Sequence, residues 1–112
     1  MGKSPDRQDL LQGTLDLLVL KTLSLGPQHG WGIAQRIQQR SRDVLEVNQG
    51  SLYPGLHRLE EQGFLLSEWR VSENGRRARY YRLSALGRKQ LETETRSWEA
   101  FSLAVRWVLE SA

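Results

Sequence analysis

The chain has 112 residues, enough for one domain or one domain with an appended element. It contains no cysteine, which excludes disulfides, thiolate metal sites and cysteine nucleophiles and fits a reducing compartment. The net charge of +3 is small but uneven: Arg70 to Lys89 hold seven basic residues against the single acid Glu73, a local +6 that leaves the remainder at −3.

A basic patch of that kind suits a polyanion met at one place, the bland alternative being a solvated face. No apolar run reaches the roughly 18 residues of a membrane span. The opening "MGKSPDRQD" lacks the apolar core of a signal peptide, so a cytoplasmic protein with no membrane contact is expected. Catalysis finds no support. There is no glycine-rich phosphate motif, and the two histidines, His29 and His57, do not have metal-ligand spacing. No catalytic residue, metal or cofactor is expected.

In chain order, a first helix is predicted from about Asp9 to Leu25, stopped by Gly26-Pro27. Its leucines cover more than one stripe, so burial on two sides is expected, one of them against a second subunit. A short helix fits Trp31 to Arg40, and Val44 to Val47 alternates weakly like a short strand. Next comes "GSLYPGLHRLEEQG", where Leu52, Leu56 and Leu59 mark one helix face. Gly50, Pro54 and Gly55 nevertheless weaken its front. With the leucines inward, Gly50, Pro54, His57, Arg58 and Glu61 fall opposite them, with Ser51 and Tyr53 on the flanks. Phe64 to Val71 reads as a strand, Ser72 to Gly75 as a turn with its Asn-Gly signal, and Arg77 to Leu83 as the returning strand. Tyr81 and Leu83 share one face and are expected to pack inward. Ser84 can cap a last helix reaching Leu109.

The order helix, helix, helix, hairpin, helix predicts a mainly α fold with a small β-hairpin. It is a winged helix-turn-helix over 9–84, followed by a C-terminal dimerisation helix over 85–112. In helix-turn-helix folds the second helix of the pair enters the major groove with its N-terminal residues towards the bases. Small residues at a helix front let its backbone N–H groups approach phosphates. Pro54 costs little there if the helix starts near Ser51 and more if it starts at Asn48. His57 and Arg58 are candidates for base edges, Ser51 and Tyr53 for phosphates. The simpler alternative makes Gly50 a cap, Pro54 a helix starter and Tyr53 a packing residue. Arg76 and Arg77 at the hairpin tip, with Arg79 just behind, favour DNA, because long cations there reach a minor groove or phosphates.

"LYPGLHRLEEQGFL", "GRRARYYRLSALGRKQL" and "HGWGIAQRI" together resemble the PadR-type transcriptional regulators over residues 10–91. The resemblance implies a winged-helix dimer that represses transcription from a palindromic double-stranded DNA operator and is released by a small molecule. It places Ser51, Tyr53, Pro54, His57 and Arg58 on the recognition helix and Arg76, Arg77 and Arg79 on the wing. Trp31 stands where tyrosine is usual, and His57 where lysine is frequent. A single C-terminal helix matches the short subgroup.

On that helix Leu91, Trp98 and Val105 fall seven apart, with Phe101 and Val108 in the intermediate series. With Leu11, Leu15 and Leu18 of the first helix they form the expected homodimer interface. In short multidrug-sensing members a tryptophan at the place of Trp98 stacks on planar aromatic compounds, so Trp98 either binds a small aromatic effector or packs in the dimer core. The alternative function is a winged-helix protein-interaction module without sequence-specific DNA binding.

Overall fold

In the computed structural model, which describes residues 8–9 and 12–112, nine elements follow one another. They are β1 (Gln8–Asp9), α1 (Gln12–Ser24), β2 (Gln28–His29), α2 (Gly30–Arg40), β3 (Leu45–Glu46), α3 (Gln49–Glu61), β4 (Leu65–Val71), β5 (Arg77–Leu83) and α4 (Ala85–Glu110). Asp9 lies in β1, not in the first helix as expected, and Leu11 lies outside the described residues.

The helices end where the sequence offers no further helical chemistry. α1 gives out at Gly26, whose φ of +139° suits glycine, with Leu25 and Gly26 N–H groups closing on Thr22 and Leu23 carbonyls. α2 starts on an unusual cap: His29 Nδ1 accepts from the Gly32 N–H at 3.0 Å. The turn towards α3 places Arg42 and Asp43 in the left-handed region, at φ 55° and 65°. Asn48 then caps α3 through its Oδ1, accepting from the Gly50 N–H at 2.7 Å. Because α3 begins at Gln49, Pro54 lies beyond the first four orphan donors and cannot donate to the Gly50 carbonyl. α3 closes on Gly63, where the Phe64 and Gly63 N–H groups bond to the Leu59 and Glu60 carbonyls.

β4 and β5 pair antiparallel, Leu65 opposite Leu83 through Val71 opposite Arg77. A third strand, β2, joins the far edge of β5, with His29 opposite Tyr80, and had not been expected from its two polar residues. The hairpin tip is a tight turn in which the Gly75 N–H reaches the Ser72 carbonyl. Only Gly75, not Asn74, takes positive φ, so the Asn-Gly pair serves a turn followed by a left-handed glycine and not a two-residue mirror-image turn.

One core joins α1, α2, α3 and the sheet: Leu15, Val19, Leu20 and Leu23 meet Ile33 and Ile37, Leu52, Leu56 and Leu59, and Leu65, Tyr81 and Leu83. The geometry is a winged helix-turn-helix followed by a long helix. Their joint is built at Ser84, whose Oγ donates to the Gly63 carbonyl at 2.7 Å and accepts from the Gly87 N–H at 3.0 Å. A Cβ at Gly87 would fall on the Phe64 carbonyl oxygen, so glycine is needed for α4 to leave the body here.

Candidate nucleic-acid interface

Strand alternation carries one sheet face from the core into the open. Leu83 and Tyr81 are buried, whereas Arg79 and Arg77, next on the same face, emerge towards the tip; Leu65, Ser67, Trp69 and Val71 follow the same course on β4. Beyond the core this face and the exposed side of α3 enclose a groove of about 1010 Å³, with the N-terminal end of α2 along it. Tyr53, His57, Arg76, Arg77 and Arg79 are brought together there. Ser51 and Pro54 are exposed on α3 but do not line the groove.

The arginines are not equivalent. Arg76 and Arg77 take part in no ion pair among the described residues, and Arg77 lies over the Trp69 ring at 5.1 Å. Trp69, 54% exposed, had not been singled out from the sequence; β4 pairs it with Arg79, and that register is the signal that could have found it. Arg79 is tied down: Nε donates to Ser67 Oγ at 2.9 Å and Nη2 to Glu60 Oε2 at 3.4 Å, while Ser67 Oγ donates to Glu60 at 2.6 Å. That network braces the wing against α3.

Arg58 departs from the base-reading place expected of it. Its Nη2 donates to both carboxylate oxygens of Asp16 at 2.5 Å, so the guanidinium is turned back towards α1. The two residues stand 42 apart in sequence, beyond the reach of any local pattern.

Tyr53 lies against the start of α2 so closely that a Cβ on Gly30 would meet its ring at 2.6 Å. Tyr81 closes the bottom of the groove. Burial pushes its hydroxyl pKa above the ordinary 10.0; Arg79 opposes the shift, and Glu60 and Tyr53 add to it.

A helix presented beside a cation-tipped hairpin is DNA-binding geometry, and residues 19–93 match the family model of the transcriptional regulator PadR-like family. The chain belongs to the PadR-like family of transcriptional regulators. Over 68 residues it is 44% identical to the transcriptional regulator Rv3488 of Mycobacterium tuberculosis, covering 61% of this chain and 63% of that protein. The crystal structure of a PadR family transcriptional regulator from Eggerthella lenta is similar at 30% identity and a TM-score of 0.77, covering 90% of this chain and 86% of that one. A PadR-like regulator from Bacillus cereus gives 25% identity and a TM-score of 0.76, with 91% and 97% covered. The PadR-like family and these neighbours are transcriptional regulators, not enzymes, and no helix among the described residues is long and apolar enough to cross a membrane.

The helix α4 runs on beyond the matched residues. Trp98, Phe101, Val105 and Val108 are exposed along it, with Trp98 and Phe101 rings 6.1 Å apart. One residue expected at a subunit contact, Leu15, is placed otherwise, while Leu18 and Leu91 keep part of their surface open. Leu15 is 3% exposed and belongs to the protomer's own core; Leu18 and Leu91 are partly buried against that core. Leu17, one of the apolar residues of the first helix but not among those expected at the subunit contact, faces the groove of about 450 Å³ between α1 and α4, together with Asp16, Glu94, Trp98 and Phe101.

Proposed function

We propose that the chain is a cytoplasmic, ligand-responsive repressor acting as a homodimer on a palindromic operator, with residues 9–84 as the DNA-binding unit and 85–112 as the dimerisation helix. The observation that carries the reading is the groove in which Tyr53 and His57 of α3 face Arg76 and Arg77 of the wing, cations that form no ion pair among the described residues although Glu73 lines the same groove. His57 reads base edges from the exposed side of α3; Ser51 and Tyr53 meet phosphates beside Pro54, and Arg76 and Arg77 neutralise the backbone. Arg79 contributes charge while bracing the wing. Trp98, Phe101, Val105 and Val108 form the subunit contact, and Trp98 with Phe101 offers a small planar aromatic effector a stacking surface.

Fluorescence anisotropy tests this reading with two duplexes, one from immediately upstream of the chain's own gene and one scrambled. Tight binding of two subunits to the first alone is expected. Arg77→Ala should weaken both duplexes and flatten the salt dependence by about one unit of slope. His57→Ala should relax preference at particular base pairs instead. Failure to bind either duplex would favour the protein-interaction module.

A further inference from the structure

The recognition helix carries one side chain that its DNA-facing surface does not use. Arg58 lies on α3 one residue from His57, yet both Asp16 carboxylate oxygens hold its Nη2 at 2.5 Å. The pair is half-sheltered, with side-chain exposures of 32% for Arg58 and 16% for Asp16. On its other side Asp16 lines the α1/α4 groove beside Trp98, Phe101 and Glu94. A single carboxylate therefore touches both the DNA-reading helix and the groove that meets the C-terminal helix.

We propose that Asp16 is a positioning residue for operator recognition: through Arg58 it fixes the setting of α3, and because it also faces the α1/α4 groove, positive charge entering that groove competes for it and loosens α3. The proposal rests on the sequence-specific, ligand-responsive reading given above. Helix α3 is joined to β4 by the tight Gly63 turn, but its front follows a turn whose Arg42 and Asp43 are held in the left-handed region. Arg58 sits in the last turn of α3, so its pairing with Asp16 ties that end of the helix to α1 and sets the angle at which the Asn48-capped front is presented. Base reading depends on side-chain placement within a fraction of an ångström, whereas phosphate attraction does not.

The sign of the effect makes the proposal testable. Asp16→Asn removes a negative charge, and electrostatics alone would tighten binding to every duplex. A positioning role requires the opposite for the operator: Asp16→Asn and Arg58→Gln should each weaken it roughly tenfold relative to scrambled DNA, with the double variant no worse than either single one. The exchanged pair Asp16→Arg with Arg58→Asp should recover part of the discrimination. A duplex selected by the wild-type chain from a random pool serves as operator. If Asp16→Asn binds it as well as or better than wild type, the proposal is overturned.

The groove half is tested without knowing an effector. The chain has no cysteine, so Ser97→Cys, which lines the same groove, can be labelled uniquely with a trimethylammonium-bearing, a neutral or a sulfonate-bearing methanethiosulfonate. The cationic label alone should lower operator affinity, and only while Asp16 is present; equal effects of all three labels would overturn the coupling. A wild-type chain that selects no sequence refutes the regulator reading on its own. Amide exchange along 49–61 then still decides the anchor: faster exchange in Asp16→Asn supports it, and unchanged exchange sinks it.

Discussion

The winged-helix body and the helix that leaves it use similar apolar side chains to opposite ends. In the body, leucines from α1, α3 and β4 meet isoleucines from α2, and eight large side chains are essentially sealed from solvent. Along the 26 residues of α4 only Gly87 is buried, while Phe101, Trp107, Val108 and Leu109 are each more than 60% exposed. At about 1.5 Å per residue α4 runs for roughly 39 Å, and only its beginning, through Leu91, rests on the body's core. The same helical periodicity thus closes a core in one region and leaves an open face in the other. The body is complete as a protomer. α4 carries an exposed apolar face of the kind that marks contact sites.

The strongest way to break that contrast is to place charge on the open face. Phe101→Glu with Val105→Glu should leave the protomer's secondary structure unchanged, because both side chains are exposed in it, at a cost within about 0.5 kcal/mol each. In the dimer of the proposed reading each carboxylate would be buried without a partner, at several kcal/mol apiece. Sedimentation should therefore show a folded monomer at concentrations where wild type is dimeric. A double variant that stays dimeric would move the subunit contact away from α4.

The joint between the two regions comes next. Gly87→Ala would drive a methyl group onto the Phe64 carbonyl oxygen, a backbone atom that cannot swing aside, and Ser84 pins the same turn through Gly63. A loss of about 2–3 kcal/mol in urea unfolding is expected, with the body and α4 melting together. An alanine variant as stable as wild type would mean that α4 can tilt at its root, and the sharp division between the regions would soften.

That division also marks what the sequence disclosed. Features written in local periodicity were legible: the Leu52, Leu56, Leu59 stripe, the strand Arg77–Leu83 with Tyr81 and Leu83 inward, and the Ser84 cap. Features formed by distant residues were not. β2 is two polar residues whose strand character comes wholly from the β5 edge beside it. Nothing near Arg58 announces Asp16, and nothing near Arg79 announces Glu60 as its partner across the groove. Leu15 illustrates the limit from the other side: a helix with several apolar stripes shows that more than one face is covered, but not which stripe faces its own core.

The smallest effect concerns a group that belongs wholly to the closed region. Tyr81 is 3% exposed, and burial favours its neutral phenol more strongly than Arg79 favours the phenolate, with Glu60 and Tyr53 reinforcing burial. Its folded pKa is raised, so between the unfolded value near 10.0 and the folded value the native state holds a proton that the unfolded chain has released. Stability from this source is fully present below pH 10 and drains away as pH climbs through that window. Tyr81→Phe should remove this alkaline dependence while changing stability little at pH 7, since the bonds that brace the wing run between Arg79, Ser67 and Glu60 and do not pass through its hydroxyl. Arg79→Ala should do the reverse: with the opposing cation gone, the phenol titrates higher still and the alkaline slope is prolonged. Unfolding in urea from pH 8 to 11, followed by circular dichroism on all three proteins, separates these cases. If Arg79→Ala instead brings Tyr81 titration down, the loss of the brace has opened the base of the groove to water, and the wing's hold on α3 depends on Arg79 more than on the core beneath it.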